Sequence, residues 1–185
     1  MNNSLVMGSI GSIAQQSGKS IAETFMSADV IVIVDVSGSM NSSDSRGGLS
    51  RYNVACQELS MLQGGLPGKI AVIAFSDSTE FCPGGIPRMQ GGGTNMAAAL
   101  SFVKIADLPG MHFILISDGE PDNEQETLRI AKTFTNHIDV IFVGPESLPF
   151  GRDFLNRLAA ATGGKSVTAD RAKELASSVT QLLLG

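Results

Sequence analysis

Four mostly apolar runs, residues 30–36, 70–75, 111–117 and 140–143, constrain the fold of this chain more than any other feature of its sequence. They recur at intervals of roughly 30–40 residues and are continuous rather than alternating, the pattern of strands buried on both faces. The stretches between them are long enough for crossover helices, as in a parallel sheet. The fold class is therefore α/β.

Periodic apolar faces place the helices between those runs. Residues 51–62 carry Val54, Leu59 and Leu62 toward a core, 96–105 carry Leu100 and Val103, and 124–134 carry Leu128, Ile130 and Phe134. Residues 150–161 follow the Pro149 boundary with Phe154, Leu155 and Leu158 on one face, and 171–184 place Leu175, Val179 and Leu182 at helical spacing. Residues 79–82 read as a short hairpin strand at a sheet edge and 165–168 as a last short strand, giving about six strands in all.

With 185 residues and 43% hydrophobic content, the chain has enough apolar material for one domain with a single large core. The expected division is an N-terminal arm, residues 1–27, and a domain, residues 28–185. In the arm, Val6, Ile10, Ile13, Ile21 and Phe25 fall at mostly helical intervals, whereas Gly8, Gly11 and Gly18 each weaken a helix by about 1 kcal/mol. It reads either as an amphipathic helix, packed on this domain or on a second copy in self-association, or as a partly frayed extension.

Charge and composition exclude several function classes. A net charge of −5 without any run of Lys or Arg leaves no electrostatic footprint for nucleic acid. Cys56 and Cys82 have neither CxxC spacing nor the density of a disulfide framework, and read as reduced structural thiols. The first 20 residues lack a basic region followed by an apolar one, and no stretch is apolar enough to span a membrane, so the expected location is cytoplasmic.

Chemistry enters where the first apolar run ends. Asp35, Ser37 and Ser39 place one carboxylate and two hydroxyls together at the end of a buried strand, and oxygen ligands of this kind suit a hard cation such as Mg²⁺. In an open parallel sheet, ligands bind at the carboxyl ends of the strands near a reversal of strand order. Two further loops qualify, Gly91-Gly92-Gly93-Thr94-Asn95 before a helix and Ser117-Asp118-Gly119-Glu120 after the third run. Thr94 would add a third hydroxyl, and Asp118 a second carboxylate acting directly or through bound water.

The DxSGS, GGT and SDG motifs occur here in the order and spacing seen in von Willebrand factor type A domains, which the chain resembles from Ala28 onward. The resemblance implies a Rossmann-like, doubly wound, mostly parallel six-stranded sheet with one short antiparallel edge strand and helices on both faces. It also implies an intact metal-ion-dependent adhesion site formed by Asp35, Ser37, Ser39, Thr94 and Asp118. The implied cofactor is Mg²⁺, with Mn²⁺ or Ca²⁺ as substitutes. The implied partner is a protein donating an Asp or Glu carboxylate, as in an adhesion or adaptor domain, for instance beside an AAA+ ATPase assembly. Asp44, Asp77, Glu120 and Asp122 are expected on the rim of that partner-binding face.

The competing readings are weaker on chemical grounds. Asp35 and the serines could cap an ordinary turn, Thr94 could cap the helix that follows it, and the glycine loop could cradle a phosphate. Ser17-Gly18-Lys19-Ser20 resembles the end of a P-loop, but position 13 is isoleucine and no strand precedes it. A metal-assisted hydrolase or phosphoryl-transfer enzyme is the alternative function. A dehalogenase-like phosphatase would need an aspartate where Ser37 stands, and the motifs place no general base; Arg46 and Arg88 in nearby loops are its remaining support. His112 and His137 fall at strand starts, away from the three loops. The expectation is a protein-binding domain and not an enzyme.

Overall fold

The computed structural model describes residues 5–145, 147 and 149–169; the helix expected over 171–184 lies outside them. Six strands form one sheet in the order β3-β2-β1-β4-β5-β6, with β1 Val30–Asp35, β2 Ile70–Phe75, β3 Thr79–Phe81, β4 His112–Ser117, β5 Ile138–Phe142 and β6 Ser166–Thr168. All neighbours run parallel except β3, which pairs antiparallel with β2 at the edge. The mostly parallel sheet with one antiparallel edge strand is thus as the apolar runs required.

Central position explains the composition of β1, which carries β2 on one side and β4 on the other, with Val30 in register with both Ile70 and His112. Every residue from Val30 to Asp35 is buried. Val30, Val32 and Val34 pack with Val54, Ala55, Leu59 and Leu62 of helix α3, Arg51–Gly65. Ile31 and Ile33 face the opposite layer, with Met96, Leu100 and Val103 of α4, Met96–Val103, and Phe154, Leu155 and Leu158 of α6, Pro149–Thr162. Each such fully buried aliphatic side chain contributes about 1.5–3 kcal/mol of transfer free energy.

Some boundaries differ from expectation for local reasons. Helix α4 tightens into a 3-10 turn at Lys104–Ala106, and α5 runs from Glu124 only to Ala131. Phe134 still reaches the core, but from a turn, its ring edge-on to Phe113 with centroids 5.1 Å apart. Strand β5 begins at Ile138, two residues early, because Asp139 lies buried within it and accepts a hydrogen bond from the Lys165 N–H at 2.7 Å.

The arm forms two short helices, α1 Ile10–Ser17 and α2 Ile21–Phe25. Ser9 caps α1 and Gly18 ends it in the left-handed conformation, while Ser20 and Glu23 make a reciprocal capping box at the start of α2. Backbone bonds fasten the arm to the body: the Gly68 N–H donates to the Gly8 carbonyl at 2.7 Å and the Gly11 N–H to the Pro83 carbonyl at 2.7 Å. Ile10 and Ala14 are buried, and Phe25 packs edge-on against Phe81 of β3. The domain covers Ile10 and Ala14 of the arm's apolar face, while Ile21 and Met26 remain exposed.

Candidate metal centre

Strand order reverses between β1 and β4, and the three motif loops meet at the carboxyl ends of these strands. Asp35 is the last residue of β1, and Ser117 the last of β4, with Asp118 next in the chain. The Ser37 N–H donates to Asp35 Oδ1 at 2.9 Å, and Ser117 Oγ donates to Asp35 Oδ2 at 2.7 Å. Ser117 Oγ in turn accepts the Gly119 N–H at 2.9 Å, so one hydroxyl couples both loops.

Ser37 opens a 3-10 turn, Gly38–Asn41, without using its hydroxyl as a cap. That hydroxyl lies 3.2 Å from Ser39 Oγ, so the two alcohols converge. The glycine loop is stitched to this turn by the Gly38 N–H on the Gly92 carbonyl at 3.0 Å and the Gly91 N–H on the Val36 carbonyl at 3.0 Å. A Cβ on Gly38 would lie 3.3 Å from the Gly92 oxygen, so the close approach of the two loops favours glycine there.

Thr94 is buried and is not the cap of α4; Asn95 is, its side chain accepting the Ala98 N–H at 3.1 Å. Asp122 fixes Thr94 from the third loop, accepting its N–H at 2.9 Å while donating its own N–H to the Thr94 carbonyl at 3.0 Å. The acidic rim is thus partly architectural. Asp77 accepts the Gly93 N–H at 3.1 Å, Asp44 pairs with Arg51, and Glu120 is exposed.

Arg51 is a residue of this cluster that the motifs did not identify. Its Nη1 donates to Asp118 Oδ2 at 2.7 Å, while Nε and Nη2 donate to Asp44 Oδ1 and Oδ2, both at 2.8 Å. These bonds hold Asp44 below the usual carboxylate range. The sequence did contain a signal: a basic residue at the first position of a helix opposes the helix dipole and needs a local reason. Arg46, by contrast, turns to Glu58 at 2.7 Å and to the Ala169 carbonyl at 2.8 Å, and Arg88 is exposed. His112 and His137 sit at the opposite end of the sheet, their rings 6.2 Å apart.

Burial, with the Asp118 charge as the next cause, pushes the Asp35 carboxyl up to about 6, against the lowering effect of its Ser37 and Ser117 hydrogen bonds. Three of the four oxygens of these two aspartates accept protein hydrogen bonds. The fourth, Asp118 Oδ1, is buried without a hydrogen-bond partner among the described residues. A buried carboxylate oxygen in that state calls for an outside donor or a cation, and hydroxyls such as those of Ser37 and Ser39 are neutral oxygen donors of the type a hard ion accepts. Among the described residues, no group of three or more His, Cys, Asp or Glu is placed to hold a metal, so any ion here would depend on the alcohols as well.

By sequence, no family model and no curated protein matches the chain. Solved structures do match. An aerotolerance-related membrane protein from Bacteroides fragilis is 16% identical, with 84% of this chain and 98% of that one covered and a TM-score of 0.65. BatB from Bacteroides thetaiotaomicron is 15% identical over 84% and 98% of the two chains, with a TM-score of 0.61. The manganese-loaded TRAP protein of Plasmodium vivax is 17% identical over 83% and 73%, with a TM-score of 0.60. At these identities the similarity is one of fold, a von Willebrand factor type A-like α/β sheet. No described helix is long and apolar enough to cross a membrane.

Proposed function

We propose that this chain is a divalent-metal-dependent protein-interaction domain, with Ser37, Ser39 and Thr94 as direct ligands and Asp35 and Asp118 as charged ones, partly through water. Mg²⁺ is the proposed ion, with Mn²⁺ or Ca²⁺ as substitutes. The observation that carries this reading is Asp118 Oδ1, a buried carboxylate oxygen without a protein donor, beside a second buried carboxylate and two converging hydroxyls. Two carboxylates with alcohols hold a hard cation modestly and leave a coordination position for an outside oxygen. A partner's Asp or Glu side chain has the right charge to fill it.

The similarity in fold to the manganese-loaded TRAP protein supports the same reading. The hydrolase alternative gains little from Arg51, whose charge is already paired with Asp44 and Asp118. The proposed setting is cytoplasmic, as an adaptor within a larger assembly of the AAA+ ATPase type. The test is capture on the immobilised chain in Mg²⁺ followed by elution with chelator. A partner released by chelator and missed by Ser37→Ala/Ser39→Ala supports the reading; a partner held equally without metal, or by that variant, contradicts it.

A further inference from the structure

The guanidinium of Arg51 lies against Asp118, the one of the two buried motif aspartates with an unpartnered oxygen among the described residues. It holds Asp118 Oδ2 at 2.7 Å and is itself held by both oxygens of Asp44 at 2.8 Å, a clamp that fixes how Asp118 is presented. Asp35 has both of its oxygens engaged, by the Ser37 N–H and by Ser117 Oγ. Between them the two carboxylates leave only Asp118 Oδ1 unpartnered.

We propose that Arg51 is a positioning residue for the metal centre, limiting Asp118 to one available oxygen and thereby selecting a small six-coordinate cation over Ca²⁺. This inference rests on the metal-binding reading above, with Asp118 Oδ1 as a direct ligand and Asp35 as the one acting through water. Its chemical basis is a difference in ligand demand. Ca²⁺ gathers 6–8 oxygens and readily takes both oxygens of a carboxylate, whereas Mg²⁺ is content with single oxygens and retained waters. The positive charge of Arg51 beside Asp118 also opposes any cation drawn toward Oδ2, and a planar, permanently charged fork suits that role better than a flexible ammonium. The two bonds to Asp44 hold the fork in place against Asp118, so the restriction is built into the start of α3.

The test is calorimetric titration of the full chain with Mg²⁺ alone and Ca²⁺ alone at pH 8, where proton competition for the carboxylates is negligible. The wild type is expected to bind Mg²⁺ about tenfold or more tightly than Ca²⁺, and Arg51→Met to reduce that ratio by about tenfold through a gain in Ca²⁺ affinity. Arg51→Gln, which also removes the charge, is the second variant should the methionine form not fold, and the same relaxation is expected. Loss of a merely structural contact would weaken both ions together and leave the ratio alone. A wild type that binds both ions equally, or a folded Arg51 variant that keeps the wild-type ratio, overturns the proposal. A wild type that binds neither ion overturns the metal reading itself.

Discussion

Ser117 Oγ donates to Asp35 Oδ2 at 2.7 Å from the end of the neighbouring strand, and this bond holds a fully buried carboxylate at the point where strand order reverses. Ser117→Ala removes the donor and leaves that oxygen unsatisfied, at a cost of about 1–3 kcal/mol. Urea unfolding of the metal-free chain should show this as a lower midpoint with an unchanged slope.

Asp118 and the residue after it are placed by a close backbone contact. Gly119 has φ +81°, and a Cβ there would run into the Gly151 carbonyl of α6. Gly119→Ala is expected to destabilise by about 2 kcal/mol or more. Gly64, in α3 with open space where a side chain would begin, is the control, and Gly64→Ala should stabilise by about 0.5–1 kcal/mol. Thermal melts of the two variants should therefore move in opposite directions.

The strand framework was legible because buried parallel strands leave a simple trace, an unbroken apolar run such as residues 70–75, which became β2 without a shift of either end. The ends of β5 and α5 were less legible. Asp139 looks like a loop residue until its partner Lys165 is seen, and Phe134 carries the helical spacing past the point where the helix stops. In the centre, oxygen-bearing residues at short spacing could be found in the sequence, and the loops holding them do converge. Arg51 could not be placed the same way, since its partners Asp44 and Asp118 lie 7 and 67 positions away and only folding brings them to one guanidinium.

The arm belongs to the folding unit as well as to the chain's beginning. Ile10 is fully buried from α1, so Ile10→Ala should cost about 2–4 kcal/mol. The loss should be independent of protein concentration, because the side chain packs within its own chain. Equilibrium denaturation at two concentrations checks both statements.

Away from the centre, Asp107 is expected to contribute to acid stability. Burial alone would raise its pKa and is the largest influence, but Lys104 Nζ at 2.6 Å, with the Thr135 and Asn136 donors, brings it well below the usual carboxylate range. A carboxyl lowered in the folded state adds stability that is present above its unfolded pKa, about 3.9, and is lost as pH falls through that value toward the folded one. Asp107→Ala should cost about 2–3 kcal/mol at pH 7 and flatten part of the stability loss below pH 4. Denaturation curves taken from pH 3 to 7 measure the difference.

The claim that Asp35, Ser37, Ser39, Thr94 and Asp118 form one cation site is tested most directly by the melting temperature with and without Mg²⁺ or Mn²⁺. At a concentration about 100 times Kd, binding to the folded state alone adds about 2.7 kcal/mol, or roughly 5–10 °C for a chain of this size. That rise is expected in the wild type and not in Asp35→Ala or in Ser37→Ala/Ser39→Ala. No rise in the wild type, or the same rise in all three proteins, would contradict it.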